Sequence, residues 1–531
     1  MFRSTALRLV LPAIVGLLGA CSPGPPSRPT STVLPAAERQ ELKVAVGEDP
    51  FLRGNPPASN LGLLAAGPNP GIFETLTQLT PAFGLRPGLA VRWQARSSTT
   101  WRFELRHGVK FHDERPFDAG AALGALEGIA LRANRPRGLD PGTVRILQDD
   151  EIEIELATPN LRLAEQLANP SLAIQAPGTS AGDGHDAPNT PTGTGPFEFS
   201  SYRRDTDLVV QANPEHWGGA PRLSSITFRF SSERESSRLF AIGQADALGM
   251  IPYQSMARLS ERFGRMASSA PARTAYLLLN NGGPEPWATL KQDDLRHAIA
   301  LAIDRKTVTS TAWPEFAEPS ETVIAPRVLG AGSDLVRPET PDREAARRLL
   351  ERSGWVAGAD GIRTRDGKRL TLSLLLARPP EQQAAGAEIS KELREAGIEV
   401  VPLDPAPAAP PARVNQGTFD LFFDLRYQED ANACAHCRFF SVLPGGQLAF
   451  AGAVGGGREA DDLFERSFRT ASPDSVREMS GRLLHLVQSE RALAVPIAAL
   501  KTVWQLNPRV QGFEPAPLPG AQRWDQVWLS I

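Results

Sequence analysis

The stretch that most constrains how this chain can fold is Pro191 to Pro221, PTGTGPFEFSSYRRDTDLVVQANPEHWGGAP. It opens on a loop punctuated by glycine and proline, Thr192-Gly193-Thr194-Gly195-Pro196. An extended run, Phe197 to Tyr202, leads into a charged turn at Arg203–Asp207 and a second run, Leu208–Ala212. Turn residues set between two β-forming runs predict a hairpin. Asn213-Pro214 and Trp217-Gly218-Gly219-Ala220-Pro221 close it with a second sharp loop, and a third β-type run, Ser225 to Phe230, follows. With 46 glycines and 47 prolines in the chain, many loops are expected rather than long helical bundles.

On either side the periodicity alternates between strand and helix. Glu41–Gly47 reads as a strand, and Trp101–Asp113 alternates large apolar with polar residues and turns at His107-Gly108. Asp118 is placed to cap a helix over Ala119–Ala133. VRILQDDEIEIELATP, between Thr143 and Thr158, predicts a hairpin, and Glu233–Gln244 a helix. Tyr276–Asn281 reads as a strand, and Leu295–Ile303 running on into Asp304-Arg305 as one amphipathic helix. Pro341 and Asp342 start a helix that Gly354 stops. Leu370–Ala377, Glu381–Ala396 and Gly397–Val401 then repeat strand, helix, strand, the pattern of an α/β layer.

At 531 residues the chain is too long for one core. Its net charge is −3, and nothing in it resembles a basic nucleic-acid-binding surface. Arg3 and Arg8 precede an apolar run, Leu9–Leu18, that is too short to span a bilayer but suits a signal-peptide core. It ends in Leu18-Gly19-Ala20-Cys21, which resembles the lipobox of bacterial lipoproteins and implies acylation of Cys21. Residues 21–40, rich in proline and serine, read as an extended tether after a signal peptide over residues 1–20.

Taken in order, GIFETL (71–76), LRPGLAVRW (85–93), WRFELRHGVKFHD (101–113), GTGPF (193–197), NPEHWGGAP (213–221) and the segments around Leu295–Arg305 and Pro341–Trp355 resemble the bacterial extracellular solute-binding proteins of family 5. These are the peptide/nickel class of ABC-importer receptors. The sequence departs from that pattern at Asp113-Glu114, where glycine is usual, and at Gly120-Ala121-Ala122, where an Asp-Val pair is missing. The resemblance implies an α/β, two-lobed clamp of the periplasmic-binding-protein type (cluster of peptide binders) with an extra domain inserted in lobe I. Lobe I is expected over 41–75, 194–275 and 500–531, the inserted domain over 76–193, and lobe II over 276–499.

By the same resemblance the chain is expected to be a lipid-anchored, extracytoplasmic receptor and not an enzyme. It would capture di- or oligopeptides by hinge closure and pass them to an ABC permease with cytoplasmic ATPase subunits. It would act as a monomer, at the periplasm or cell surface, held to the membrane through its lipid alone. No cofactor, resident metal or nucleic acid is expected. A nickel or metal-chelate receptor of the same family, and a ligand-sensing lipoprotein not coupled to transport, are the alternatives.

The candidate ligand residues follow the strand Thr418–Leu425. Peptide-binding members carry here an aspartate that pairs with the ligand's α-amino group. This chain lacks the surrounding tryptophan, Asp-Tyr pair and proline. Asp424 and Asp430 flank the expected position, Tyr427 can occupy it, and Arg426 and His436 lie alongside. Cys434-Ala-His436-Cys437 admits three readings: a short-range Cys434–Cys437 disulfide in an oxidising compartment or a pair of structural thiols, a soft-metal contact, or a thiol oxidoreductase. Gly178-Thr-Ser180-Ala-Gly182 matches a nucleophile elbow, but the glycine- and proline-rich residues after it cannot form the helix that elbow needs. Gly193-x-Gly195 is too short for a dinucleotide loop, and Pro196 removes an amide a phosphate would use.

Overall fold

The computed structural model describes residues 40–530 apart from 48–68, 133–134, 178–190, 250, 260–263, 326–335, 337–338, 378, 404–412, 415, 428–456 and 517. Two mixed sheets organise these residues. The first has seven strands, in the order Arg265–Ser268, Val503–Leu506, Ala247–Gly249, Glu41–Val46, Ser225–Phe230, Asp207–Ala212 and Phe197–Arg203. The second has six, in the order Ala317–Pro319, Ala494–Leu500, Arg273–Leu279, Leu421–Tyr427, Thr371–Leu375 and Glu399–Leu403. Together they form the expected two-lobed α/β architecture.

The hairpin lies at one edge of the first sheet. Phe197 pairs with Ala212 and Arg203 with Asp207, around a turn in which Asp205 takes a positive φ. Glu41–Val46 lies centrally and pairs in parallel with both Ser225–Phe230 and Ala247–Gly249. Leu42, Val44, Ala45 and Val46 are all buried, as a strand covered on both faces requires.

The glycines of the opening loop are demanded by close approach. A Cβ on Gly193 would meet the Ile72 carbonyl oxygen at 2.1 Å, and one on Gly195 the Gly71 carbonyl oxygen at 2.1 Å. In the space left free, Gly195 N–H donates to Ile72 O at 2.9 Å and Phe197 N–H to Gly71 O at 3.0 Å. His112 clamps the same loop. Its Nε2 lies 2.9 Å from Gly195 O, which can only accept, and its Nδ1 accepts from Gly193 N–H at 3.3 Å. The ring is therefore neutral with its proton on Nε2, and burial holds its pKa below the ordinary histidine value.

Between the first strand and the hairpin lies a separate four-stranded antiparallel sheet, in the order Ala90–Ala95, Thr100–Leu105, Glu151–Glu155 and Val144–Gln148. Helix Ala119–Ala130 packs on it, capped by Asp118, whose carboxylate accepts from Ala121 N–H at 2.8 Å. At the unusual Asp113-Glu114 turn, Glu114 adopts φ +66°. The backbone there takes the left-handed form that glycine prefers, even though the side chain is glutamate.

The second sheet carries the α/β repeat, with Thr371–Leu375 and Glu399–Leu403 parallel and helix Pro380–Glu395 between them. Several boundaries move. The strand expected at Gly397–Val401 begins at Glu399, because Gly397 at φ +95° ends the helix. The strand expected from Tyr276 begins at Arg273. The helix expected to run unbroken through Asp304-Arg305 is two, Asp293–Ala302 and Arg305–Ala312. Asp304 breaks it by acting as a cap: its carboxylate accepts from Lys306 N–H at 3.0 Å and Thr307 Oγ1 at 2.9 Å.

The chain passes between the two sheets twice, through 269–272 and through 501–502. The crossings run side by side. Ser269 N–H donates to Thr502 O at 2.9 Å, Thr502 N–H donates to Ser269 Oγ at 3.1 Å, and Ala272 N–H donates to Leu500 O at 3.2 Å.

Candidate functional site

A cavity of about 260 Å³ opens where three loops of the first lobe meet, walled by residues 69–75, 216–218 and 520–526 together with Arg86. Glu74, from the GIFETL segment, is its organising group. Its Oε2 accepts from Trp217 Nε1 at 2.8 Å and from Thr194 Oγ1 at 3.0 Å, and its Oε1 lies 3.4 Å from His216 Nε2. The glycine-rich opening loop and the His216-Trp217-Gly218 loop are thus tied to one buried carboxylate. Arg106 lies over the Trp217 ring at 3.9 Å, fixing its plane.

The opposite wall comes from the C-terminal segment. Trp524 Nε1 donates to Asn69 O at 3.1 Å, and Asn69 Oδ1 accepts from Gly71 N–H at 3.1 Å and Ile72 N–H at 3.2 Å. Arg523 grips Asp525 with two bonds, Nε to Oδ1 at 2.7 Å and Nη2 to Oδ2 at 2.5 Å, and Gln526 Nε2 adds a third at 2.7 Å. Burial pushes the Asp525 carboxyl upward, but the donors from Arg523 and Gln526 outweigh it and hold it below the usual range. The hydrogen bond to Asp525 in turn raises Arg523 against the opposing effect of burial.

Arg86 differs from every other charge here. It sits in the short strand Leu85–Pro87, opposite Gln78 of Thr77–Leu79. Among the described residues it has no hydrogen-bond or ion-pair partner, and its Nε is buried without one. Burial, with the Arg523 charge nearby, lowers its pKa from the ordinary arginine value, and the Asp525 and Glu74 carboxylates oppose that shift.

Of the ligand residues expected from the sequence, Asp424 lies in the strand Leu421–Tyr427, directly opposite Tyr276, whose hydroxyl donates to Asp424 Oδ2 at 3.1 Å. Tyr276 belongs to a buried cluster that also takes in Leu79, Phe83, Ala168 and Leu518, so this face of the six-stranded sheet is the one turned toward the first lobe. Arg426 and Tyr427 complete the same strand, opposite Thr274 and Arg273. Asp430, Cys434, His436, Cys437 and Cys21 lie outside the described residues. Asp424 does not line the Arg86 cavity.

The residues that build the cavity, Glu74, His216, Arg86, Arg523 and Asp525, were not singled out from the sequence. Glu74 and His216 stood inside segments read as organisational, and their only signal was that membership. Nothing in the sequence spacing joins them, since the bonds to Glu74 span 120 to 143 residues. Among the described residues there is no cluster of three or more histidine, cysteine, aspartate or glutamate side chains that could hold a metal ion. No helix among them is long and apolar enough to cross a membrane.

Residues 84–435 match the family model for the bacterial extracellular solute-binding proteins, family 5. The chain is 28% identical over 370 residues to the nickel-binding periplasmic protein of Escherichia coli K12, an alignment spanning 66% of this chain and 69% of that one. It is 26% identical over 334 residues to the glutathione-binding protein GsiB of Escherichia coli O1:K1, spanning 60% and 62%. In fold it is similar to NikA from Brucella suis, solved with Fe(III)-EDTA, with a TM-score of 0.78 at 21% identity over 92% of this chain and 100% of that one. AppA from Bacillus subtilis, solved with a nonapeptide, gives 0.71 at 16% identity over 93% and 100%. The match to the family model covers well over half of the chain, and with two α/β sheets joined by two adjacent crossings it establishes that the chain belongs to the family 5 extracellular solute-binding proteins, receptors of the ABC-importer class and not enzymes.

Proposed function

We propose that this chain is a lipid-anchored receptor that captures a small solute, a di- or oligopeptide, between its two lobes and delivers it to an ABC permease. The observation that carries the reading is the pair of crossings at 269–272 and 501–502, together with a first-lobe cavity built from residues far apart in sequence. Two short antiparallel connections allow the lobes to rotate as rigid bodies, and closing them on a solute excludes water and strengthens every polar contact inside. In an extended peptide, main-chain groups supply affinity while side-chain charges anchor the ends. The Asp424–Tyr276 pair, on the sheet face turned toward the first lobe, offers such an anchor for an amine.

A metal-chelate solute is the second reading, favoured by the kinship with a nickel-binding protein and by His436. Mass spectrometry of solute released from protein purified without refolding decides between them. A peptide supports the first reading; a metal, with a metal affinity that falls on His436→Ala, supports the second. The anchor is tested separately, by the mass of the N-terminal peptide: acylated Cys21 is expected, and a free or absent cysteine refutes it.

A further inference from the structure

We propose that the swing between the layers of the seven-stranded and six-stranded sheets turns on Lys501, and that Tyr253 governs it by holding the peptide on one side of that residue; the assignment rests on the receptor reading above and names the residues that set its opening. Two consecutive peptide groups in the second crossing are each held at both ends. In the Leu500–Lys501 peptide, Leu500 O accepts from Ala272 N–H at 3.2 Å and Lys501 N–H donates to Phe316 O at 3.1 Å. Both partners belong with the six-stranded sheet, since Phe316 precedes its strand Ala317–Pro319 and Ala272 precedes Arg273–Leu279. In the Lys501–Thr502 peptide, Lys501 O accepts from the Tyr253 hydroxyl at 2.7 Å and Thr502 N–H donates to Ser269 Oγ at 3.1 Å. These partners belong with the seven-stranded sheet, Tyr253 on the helix Tyr253–Leu259 and Ser269 directly after the strand Arg265–Ser268. Peptide groups are planar and stiff, and these two meet at the Cα of Lys501. Its φ and ψ are therefore the torsions left between the layers in this crossing.

The first crossing leaves little other freedom. Ser269 N–H donates to Thr502 O at 2.9 Å, and Ser269 Oγ donates to Ala270 O at 2.7 Å. Pro271 has its φ fixed by the ring and restricts Ala270 before it. Motion through such connections falls on the few positions able to absorb the torsional change. Tyr253 is the side chain that reaches both sides of the pivot. Its hydroxyl holds the Lys501 carbonyl, while its ring stacks on Phe316 with the centroids 5.6 Å apart and the planes at 29°. Tyr253 is 7% exposed and Phe316 3%, so water competes poorly for either contact. A turn at Lys501 moves Phe316 relative to the held carbonyl. Tyr253 can follow only one of them, so the swing costs it the hydroxyl bond or the stack.

Hydrogen–deuterium exchange of the mature chain, read by mass spectrometry on overlapping peptides across 498–506, tests this with no added solute. Tyr253→Phe keeps the ring and removes the donor. Exchange at the Lys501 and Thr502 amides should rise about 2- to 10-fold, the range one neutral hydrogen bond supplies, while Leu42–Val46 and Leu277–Leu279 exchange as before. Lys501→Gly keeps every backbone bond but frees φ and ψ, and should raise exchange in the same place. Glu318→Ala removes only the Lys501–Glu318 ion pair at 3.0 Å and should leave exchange there unchanged. Tyr253→Phe and Lys501→Gly should also shift the radius of gyration in small-angle scattering, a readout that a purely structural tyrosine would not move. Unchanged exchange at 501–502 or an unchanged radius in Tyr253→Phe overturns the assignment. So does a rise spread evenly over both sheets, or a Glu318→Ala protein that matches Lys501→Gly. In each of those cases the receptor reading stands if the purified protein releases a solute. Protein that releases none refutes the receptor reading instead, and exchange still decides the role of Tyr253.

Discussion

Arg137 and Glu465 join the four-stranded sheet's layer to that of the six-stranded sheet: Arg137 Nη2 lies 2.5 and 2.7 Å from the two oxygens of the Glu465 carboxylate. Arg137 lies between helix Ala119–Ala130 and the strand Val144–Gln148, whereas Glu465 sits on helix Gly457–Ser467, packed on the six-stranded sheet. The guanidinium also stands over Phe468 at 5.1 Å, and Leu161 N–H donates to Phe468 O at 2.8 Å. Arg162 Nη2 donates to Thr470 O at 2.7 Å. None of these contacts involves the crossings at 269–272 and 501–502, so they tie the two layers together independently of them.

The Arg137 and Glu465 side chains are only 18% and 23% exposed, so removing one partner strands a charge that water reaches poorly. Glu465→Ala should therefore weaken the joined state by about 1–3 kcal/mol. Small-angle scattering of the solute-free protein should show a larger radius of gyration, and adding Arg137→Met should recover part of the difference. An unchanged radius in Glu465→Ala would show that the pair does not hold the lobes together.

Where the two crossings run side by side, Ser269 Oγ is the acceptor for Thr502 N–H. Ser269→Ala removes that acceptor, and the bond the same hydroxyl donates to Ala270 O at 2.7 Å, at a site where Ser269 is 9% exposed, a loss of about 1 kcal/mol. The expected readout is a faster solute off-rate in stopped flow with little change in the on-rate. Equal off-rates for the two proteins would mean that the bond does not govern opening.

Glu392 is 1% exposed and lies 3.8 Å from Arg343, and its Oε2 accepts from Asp304 N–H at 2.8 Å. Burial raises its carboxyl to about 7. A folded-state pKa above the unfolded one means that the native chain binds the proton more tightly. The contribution is thus complete below the unfolded value near 4.5 and is lost as pH rises through about 7. Glu392→Gln should raise stability at pH 8 by about 1–2 kcal/mol and change it little at pH 4.5. Thermal melts across that range check this, and parallel curves for the two proteins would refute it.

Glu114 occupies a left-handed position at φ +66°, with only an exposed pair to Lys110 at 2.9 Å in return. Relief of the Cβ clash is worth about 1–2 kcal/mol, against about 0.5–1 kcal/mol of added backbone entropy in the unfolded chain. Glu114→Gly should accordingly stabilise by up to about 1 kcal/mol in chemical denaturation. A clear loss of stability would give the Lys110 pair more weight than its exposure allows.

Much of the local structure was legible because its causes are local. The hairpin at Phe197–Ala212 follows from alternation around a charged turn, and the caps at Asp118 and Asp342 from a side chain reaching an amide three residues on. The break at Asp304 was missed although its cause is equally local, since the apolar pattern on both sides hid a capping aspartate. The candidate ligand strand was found as a strand. Its Asp424 pairs with Tyr276, a partner that only the sheet register supplies.

Sequence alone determined which segments extend, which coil and where the chain must turn, because those preferences are settled within a few residues by sterics and capping. It also carried the family's ordered motifs. The tertiary structure alone decided that Thr194, His216 and Trp217 converge on Glu74, and that Arg86 stands beside Arg523 with no acceptor of its own. Those relations cross 120 to more than 400 residues of chain. They arise because pairing between strands brings loops far apart in sequence together, as the antiparallel pairing of Phe197 with Ala212 sets the loops before and after the hairpin side by side, which no local preference encodes.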